Sequence, residues 1–138
     1  MDDREAALAA NREFYRAFES LELGRMERVW LREPKIVCVH PGWRRLTGWG
    51  PVMTSWQRIF AGAFEMTFDI RDPGVTVGGD LAVVLVEENL TQRGYDGVMR
   101  TQVLATNVFE RRGGEWLMIL HHGSPVMAPA SDDEPPLQ

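Results

Sequence analysis

The stretch Ala105–Pro125, ATNVFERRGGEWLMILHHGSP, decides how this chain folds. Two β-rich runs flank Arg112-Gly113-Gly114, and adjacent glycines accept the positive φ angles that a tight turn between antiparallel strands requires. The reading is a closing hairpin, VMRTQVLATNVFER into EWLMILHHGSPV. The hairpin also sets which side chains share a face. His121 and His122 are neighbours on one strand and must point to opposite sides of the sheet. A one-residue slip at the turn would exchange them, so either is open as the inward residue. Asn107 lies two residues from Ala105 and shares its face.

Working back from the hairpin, Gly78-Gly79-Asp80 turns into LAVVLVEENLTQ, and Arg93–Gly97 turns into the strand before the hairpin. EMTFDIRDPGVTV is extended and interrupted at Asp72-Pro73-Gly74, which predicts a bulge or bend. Upstream, Asp2 or Asp3 can cap a first helix, with Leu8, Phe14 or Tyr15, Phe18 and Leu21 at helical spacing to about Glu22. RMERVWL reads as a short second helix burying Met26, Val29 and Trp30, ended by Pro34. KIVCVH is a short strand closed by Pro41. Gly50-Pro51 opens a third helix with Val52, Trp56, Ile59, Phe60 and Phe64 as its buried stripe.

Three N-terminal helices followed by a long antiparallel meander predict an α+β fold, with the helices packed on one face of a curved sheet. LAVVLV and WLMIL are apolar at odd and even positions alike, so both sheet faces should be covered. The helices cover one. A second copy of the chain is the simplest cover for the other, which predicts a homodimer.

The 138 residues suit one domain, read as 1–127, with APASDDEPPLQ from Ala128 on as a disordered acidic, proline-rich tail. A net charge of −5 with no basic run argues against nucleic acid or an anionic membrane surface as partner. One cysteine leaves no internal disulfide and no paired-cysteine zinc or redox motif. The N-terminus lacks the apolar core of a signal peptide, and no segment approaches the roughly 18 apolar residues of a membrane span, so a cytoplasmic protein is expected. No glycine-rich phosphate loop follows a strand, and no cofactor is expected.

The pieces FYRAFESLELGRMERVW, VCVHPGWRRLTGWGPVMTSWQRIF and ATNVFERRGGEWLMILHHGSP, in this order, resemble the nuclear transport factor 2-like superfamily, in particular its SnoaL-like members. The resemblance covers about residues 4–126. It implies three helices and a curved sheet forming a cone, an α+β barrel with a pocket at its wide end. It does not imply one function, because this fold hosts isomerases, dehydratases and oligomerisation domains.

Within that frame, Trp43 and Trp49 would roof the pocket, and Trp30, Trp56 and Phe60 would form its walls or core. The ketosteroid isomerase branch places a tyrosine on the first helix and an aspartate general base in an Asp-Pro at the strand end. Tyr15, or Phe14 as the inward alternative, corresponds to the first, and His40-Pro41 to the second. A histidine with an ordinary pKa near 6.5 suits proton transfer near neutrality. Its other reading is a brace for the loop at Gly42. Family matching turns Ile119, His121 and Gly123 into the cone. The second acid of the isomerases falls on Ala105, which breaks that pattern; Asn107 offers a neutral donor and acceptor instead, or is a satisfied buried amide. Glu88 either reaches a cavity or pairs across strands with Arg100, the latter being the plainer reading. Cys38 reads as a buried, inert thiol, and no metal site is expected from it.

The implied function is a small, mostly apolar ligand bound in the cone, with isomerisation or dehydration by proton transfer using His40, Tyr15 and Asn107. The alternative is a non-catalytic binding or oligomerisation module resembling the calcium/calmodulin-dependent kinase II association domain.

Overall fold

Helix α1 (Asp3–Ser20) starts where Asp2 Oδ1 accepts the Glu5 amide at 2.8 Å, satisfying one of the free N–H groups of the first turn. The computed structural model describes residues 1–127, so the expected disordered tail lies outside the described residues. Leu21, in the left-handed region, ends α1, and α2 (Leu23–Val29) follows at once. The chain then forms β1 (Val37–Val39), β2 (Leu46–Thr47), α3 (Trp49–Ala61), β3 (Glu65–Gly78), β4 (Leu81–Gly94), β5 (Gly97–Arg112) and β6 (Glu115–Pro125).

The sheet order is β2-β1-β6-β5-β4-β3, and β3 to β6 form the expected meander. The sheet is mixed rather than purely antiparallel: β1 runs parallel to β6, with Cys38 opposite His121. β1 and β6 are separated by β2, α3 and the rest of the meander, so no tight turn forces them antiparallel and β1 can lie beside β6 in that direction. Leu46-Thr47, read as loop from sequence, folds back as β2 on β1. The curved sheet stays open, with β2 and β3 as its edges.

Two bulges set the curvature and the side-chain parity. On β3, Asp72 and Pro73 stand opposite one residue of β4, between the Arg71–Glu87 and Gly74–Leu85 pairs. Pro73 has no N–H to donate, so the ladder loses little there. On β6, Ile119 is the extra residue between Met118, opposite Phe109, and Leu120, opposite Val108. That insertion lets both Met118 and His121 face the core three residues apart. His121 and Gly123 point inward as the family match implies; Ile119 is only half-buried, because it is the bulged residue.

Helix α1 lies across β3, β4 and β6, and the core between helices and sheet holds Phe14, Met26, Ile36, Trp56, Phe109 and Met118. Helix α3 begins at Trp49 behind Gly48, one turn position earlier than the proline suggests, and Pro51 sits in its first turn. It stops at Ala61. Phe64 therefore leaves the predicted helical stripe for the sheet edge, where it is 59% exposed and its ring meets Tyr95 at 4.3 Å.

At the far end of β4, a Cβ on Gly94 would stand 2.8 Å from the Gly62 carbonyl oxygen at the end of α3. Backbone meets backbone there, so neither side can yield cheaply. Gly94→Ala is expected to cost about 1–3 kcal/mol, whereas Gly74→Ala, with open space around its Cβ, stays near parent stability. Urea unfolding of the two variants checks this; equal stabilities would show that the strand and helix ends can separate freely.

Candidate active site

Two concavities matter. A shallow depression of about 470 Å³ lies on the outer sheet face beside Leu85, Leu104, Thr106 and His122. A smaller cavity of about 240 Å³ lies between helices and sheet, lined by Phe18, His40, Pro41, Glu88, Leu90, Thr101, Val103, His121 and Pro125. Only the second brings buried titratable groups together, which makes it the candidate site.

Each of those groups is placed by a different element. His40 follows β1 and is buried; Glu88 comes from the middle of β4; His121 comes from β6 just beyond the bulge. From the helix side, Tyr15 of α1 donates to Glu88 Oε2 at 2.5 Å. Asn107 Nδ2 gives its two hydrogens to Asn11 Oδ1 at 2.9 Å and to the Tyr15 hydroxyl oxygen at 3.1 Å. Its Oδ1 is thereby turned to His121 Nδ1, 2.6 Å away, which must carry the proton. On the other side, the single Ser55 hydroxyl hydrogen goes to the Val52 carbonyl at 2.6 Å. Ser55 Oγ therefore accepts from His40 Nε2 at 2.8 Å.

These contacts sort the sequence candidates. His40 and His121 line the cavity, with ring centroids 6.3 Å apart. Tyr15 and Asn107 do not line it; they hold Glu88 and His121 from behind. Between Phe14 and Tyr15, Tyr15 carries the hydroxyl into the network, and the Phe14 ring packs on His121 at 4.9 Å. Trp43 is 42% exposed and caps the His40 ring at 4.9 Å. Trp56 backs His40 at 4.7 Å, with Phe60 behind it. Trp30 and Trp49 are not cavity walls. Trp30 is buried at the end of α2 beside Met118, and Trp49, on α3, stacks under the Arg32 guanidinium at 4.8 Å.

The residue that sequence reasoning set aside is Glu88. It does not pair with Arg100, which stands opposite Thr91 three residues along the strand; Val103 is opposite Glu88. Its inward face in an apolar run, AVVLVEEN, was the available signal, and only the position of Tyr15 shows where it goes. Cys38 is buried beneath His40, and burial, with Glu88 nearby, pushes its thiol far above the range of a nucleophile. Among the described residues, no three histidine, cysteine or acidic side chains are grouped to hold a metal ion.

Burial dominates the titration of the site. It lowers His40 from 6.5 to about 4 and His121 to about 3, the latter helped by the charges that His40 and His122 would carry. It raises Glu88 from 4.5 to about 7, although the Tyr15 hydrogen bond pulls the other way. Tyr15 is raised in turn by burial and by the Glu88 charge. Near neutrality the cavity holds two uncharged imidazoles and one carboxyl poised between its two forms.

The sign of the stability effect follows. Glu88 holds its proton more tightly in the folded chain, so its contribution is full below about pH 4.5 and lost as pH rises to about 7. The imidazoles oppose it: their contribution is full above about pH 6.5 and lost as pH falls towards 4 and 3. Glu88→Gln removes only the first effect. Relative to the parent, the variant should gain up to about 3 kcal/mol between pH 4.5 and 7. Urea titrations across that range check this, and parallel pH curves would show that Glu88 titrates normally.

Comparisons place the chain among known proteins. The SnoaL-like domain family matches residues 7–129. A Streptomyces avermitilis protein described as a candidate dehydratase of the NTF2-like family is 36% identical, with a TM-score of 0.86 over 91% of this chain and 97% of its own. A candidate calcium/calmodulin-dependent protein kinase type II association domain from Thiobacillus denitrificans is 34% identical, with a TM-score of 0.77 over 86% of this chain and 94% of its own. The F-box protein SKIP8 of Arabidopsis thaliana is 30% identical over 122 residues, 88% of this chain and 50% of SKIP8, so the chain spans about half the length of that relative. Among the described residues, no helix is long and apolar enough to cross a membrane. A match running through the three helices and six strands of the described residues means that the chain belongs to the SnoaL-like domain family, on the NTF2-like cone fold.

Proposed function

We propose that the protein binds a small, mostly apolar molecule in the 240 Å³ cavity and moves a proton on it, in an isomerisation or a dehydration. The observation that carries this reading is the convergence of Glu88, His40 and His121 on one apolar cavity. A carboxyl poised near pH 7 both accepts and returns a proton at working pH, which is what general acid–base catalysis asks of it. As carboxylate, Glu88 is a stronger base there than His40, whose basicity burial has lowered to about 4. Glu88 would take a proton from carbon, and His40 would orient the ligand. In an isomerisation the same carboxyl returns the proton at another carbon. In a dehydration the departing hydroxyl leaves as water with that proton. The similarity to the Streptomyces candidate dehydratase supports the second outcome.

A distinct observation favours self-association alongside this. Leu81, Leu85 and Leu104 are exposed on the outer sheet face, next to half-buried Val83, Thr106 and Val108. A second copy is the proposed cover. The Thiobacillus relative carries the description of an association domain, so a non-catalytic hub remains the competing reading.

Turnover of a panel of small ketones, hydroxy ketones and hydroxy acids tests the chemistry. Activity should rise with pH through about 7 and plateau. Glu88→Gln should lower kcat about a hundred- to ten-thousand-fold. His40→Ala should cost less, mostly in KM. Activity already level from pH 5, with the larger loss in His40→Ala, would move the base to His40; full activity in both variants would leave the hub reading in front. For assembly, sedimentation should give a dimer at micromolar concentration and a monomer for Leu104→Glu, and a monomeric parent would exclude the dimer.

A further inference from the structure

The proton inventory around the cavity goes further than the class of chemistry. Each polar side chain that could donate into it from the protein already has its hydrogen committed. Tyr15 gives its hydroxyl hydrogen to Glu88, Asn107 gives both amide hydrogens to Asn11 and Tyr15, and Ser55 gives its hydrogen to Val52. His121 spends Nδ1–H on Asn107 and His40 spends Nε2–H on Ser55. With Glu88 ionised, as it mostly is at the pH 7.5 of the test below, what is left on the buried lining residues is acceptors. His121 Nε2 is a bare lone pair with no protein partner among the described residues. His40 Nδ1 has only the Cys38 sulfur, 3.9 Å away. Tyr15 serves Glu88 Oε2, and among the described residues Oε1 takes no hydrogen bond. Pro41 and Pro125 contribute no N–H to the wall. Trp56 Nε1 is buried without a partner, but the indole stands behind His40 and is not part of the lining. The Thr101 hydroxyl, on an exposed residue at the rim, is the exception.

Unpaired acceptors in an apolar cavity are costly unless the ligand supplies hydrogens, and a site built this way rejects a ligand that lacks them. We propose that the cavity selects small, largely apolar molecules that carry hydroxyl groups, an alcohol, enol or phenol, over the corresponding ethers and ketones. The inference rests on the cavity being the ligand site and deepens that reading. It turns the reaction towards substrates with a hydroxyl to hold or to lose. It also separates this chain from an isomerase that needs a tyrosine hydrogen for a ketone oxygen, because Tyr15 has none to offer.

The test is a binding comparison at fixed shape, independent of turnover. 4-Ethylphenol, its methyl ether 4-ethylanisole and the ketone 4-methylacetophenone are titrated into the full chain at pH 7.5, followed by ligand-observed NMR. The phenol should bind at least ten-fold more tightly than either of the others. Glu88→Gln puts an amide donor into the wall, so it should raise the affinity for the ketone and narrow the preference for the phenol. Equal affinities in the parent, tighter binding of the ether or ketone, or no binding of any of them at their solubility limits would overturn the proposal. A phenol preference without turnover of any panel compound would sustain the donor selection while the proton-transfer reading fails; turnover of a ketone without phenol preference would do the reverse.

Discussion

The hydrogen bond from Tyr15 to Glu88 is the contact on which the interior is organised. A carboxyl in the middle of a strand, facing an apolar core, is expensive unless a partner reaches it or it keeps its proton. Here both happen in part. The tyrosine of α1 reaches across from the helix layer, and the carboxyl shifts towards neutrality. Because Tyr15 has one hydrogen, giving it to Glu88 forces Asn107 to approach the phenol oxygen as a donor. That choice orients the Asn107 amide and so assigns the tautomer of His121. One bond between helix and sheet thus determines the proton positions on four residues from α1, β4, β5 and β6.

The same interior shows why stability and chemistry pull against each other. Two imidazoles are buried in neutral form and one carboxyl is buried near its midpoint, an arrangement that a purely structural core would fill with aliphatic side chains. Trp56, Phe14 and Phe18 pack around these groups and exclude water, which strengthens every polar contact among them. Of these three aromatics only Phe18 reaches the cavity wall. The part of the cluster is to make the environment in which a glutamate titrates near neutrality and a histidine does not.

The sheet contributes through its irregularities. The β6 bulge at Ile119 puts Met118 in the core and His121 at the cavity, a pairing that simple alternation forbids. It also accounts for part of the unbroken apolar run in WLMIL, since a strand that changes parity needs apolar residues on both sides of the change. In LAVVLV there is no such insertion, and Leu81, Val83 and Leu85 face outward. The outer face is therefore apolar in its own right.

The sequence by itself determined the order of the elements other than β2, the Gly113-Gly114 hairpin and the interruption of β3 at Asp72–Gly74, and it left His40 open between facing the cavity and bracing the loop. What it determined depends on local rules: backbone φ, the missing proline N–H and the alternation of a pleated strand. It also placed Tyr15 and Asn107 near the site, through the resemblance carried by the motifs around them. Only the tertiary structure decided what those residues do. Tyr15 and Glu88 are 73 positions apart, and Asn11 and Asn107 are 96 apart. No local pattern says which of two adjacent glutamates will find a phenol, or that Arg100 will miss Glu88 by three residues of register. Trp30, read from its helical spacing as wall or core, is core at the end of α2, and Trp49, read as part of the roof, packs under Arg32 instead. Proton ownership is a property of the whole network, since each donor's choice depends on every partner that the fold brings within reach.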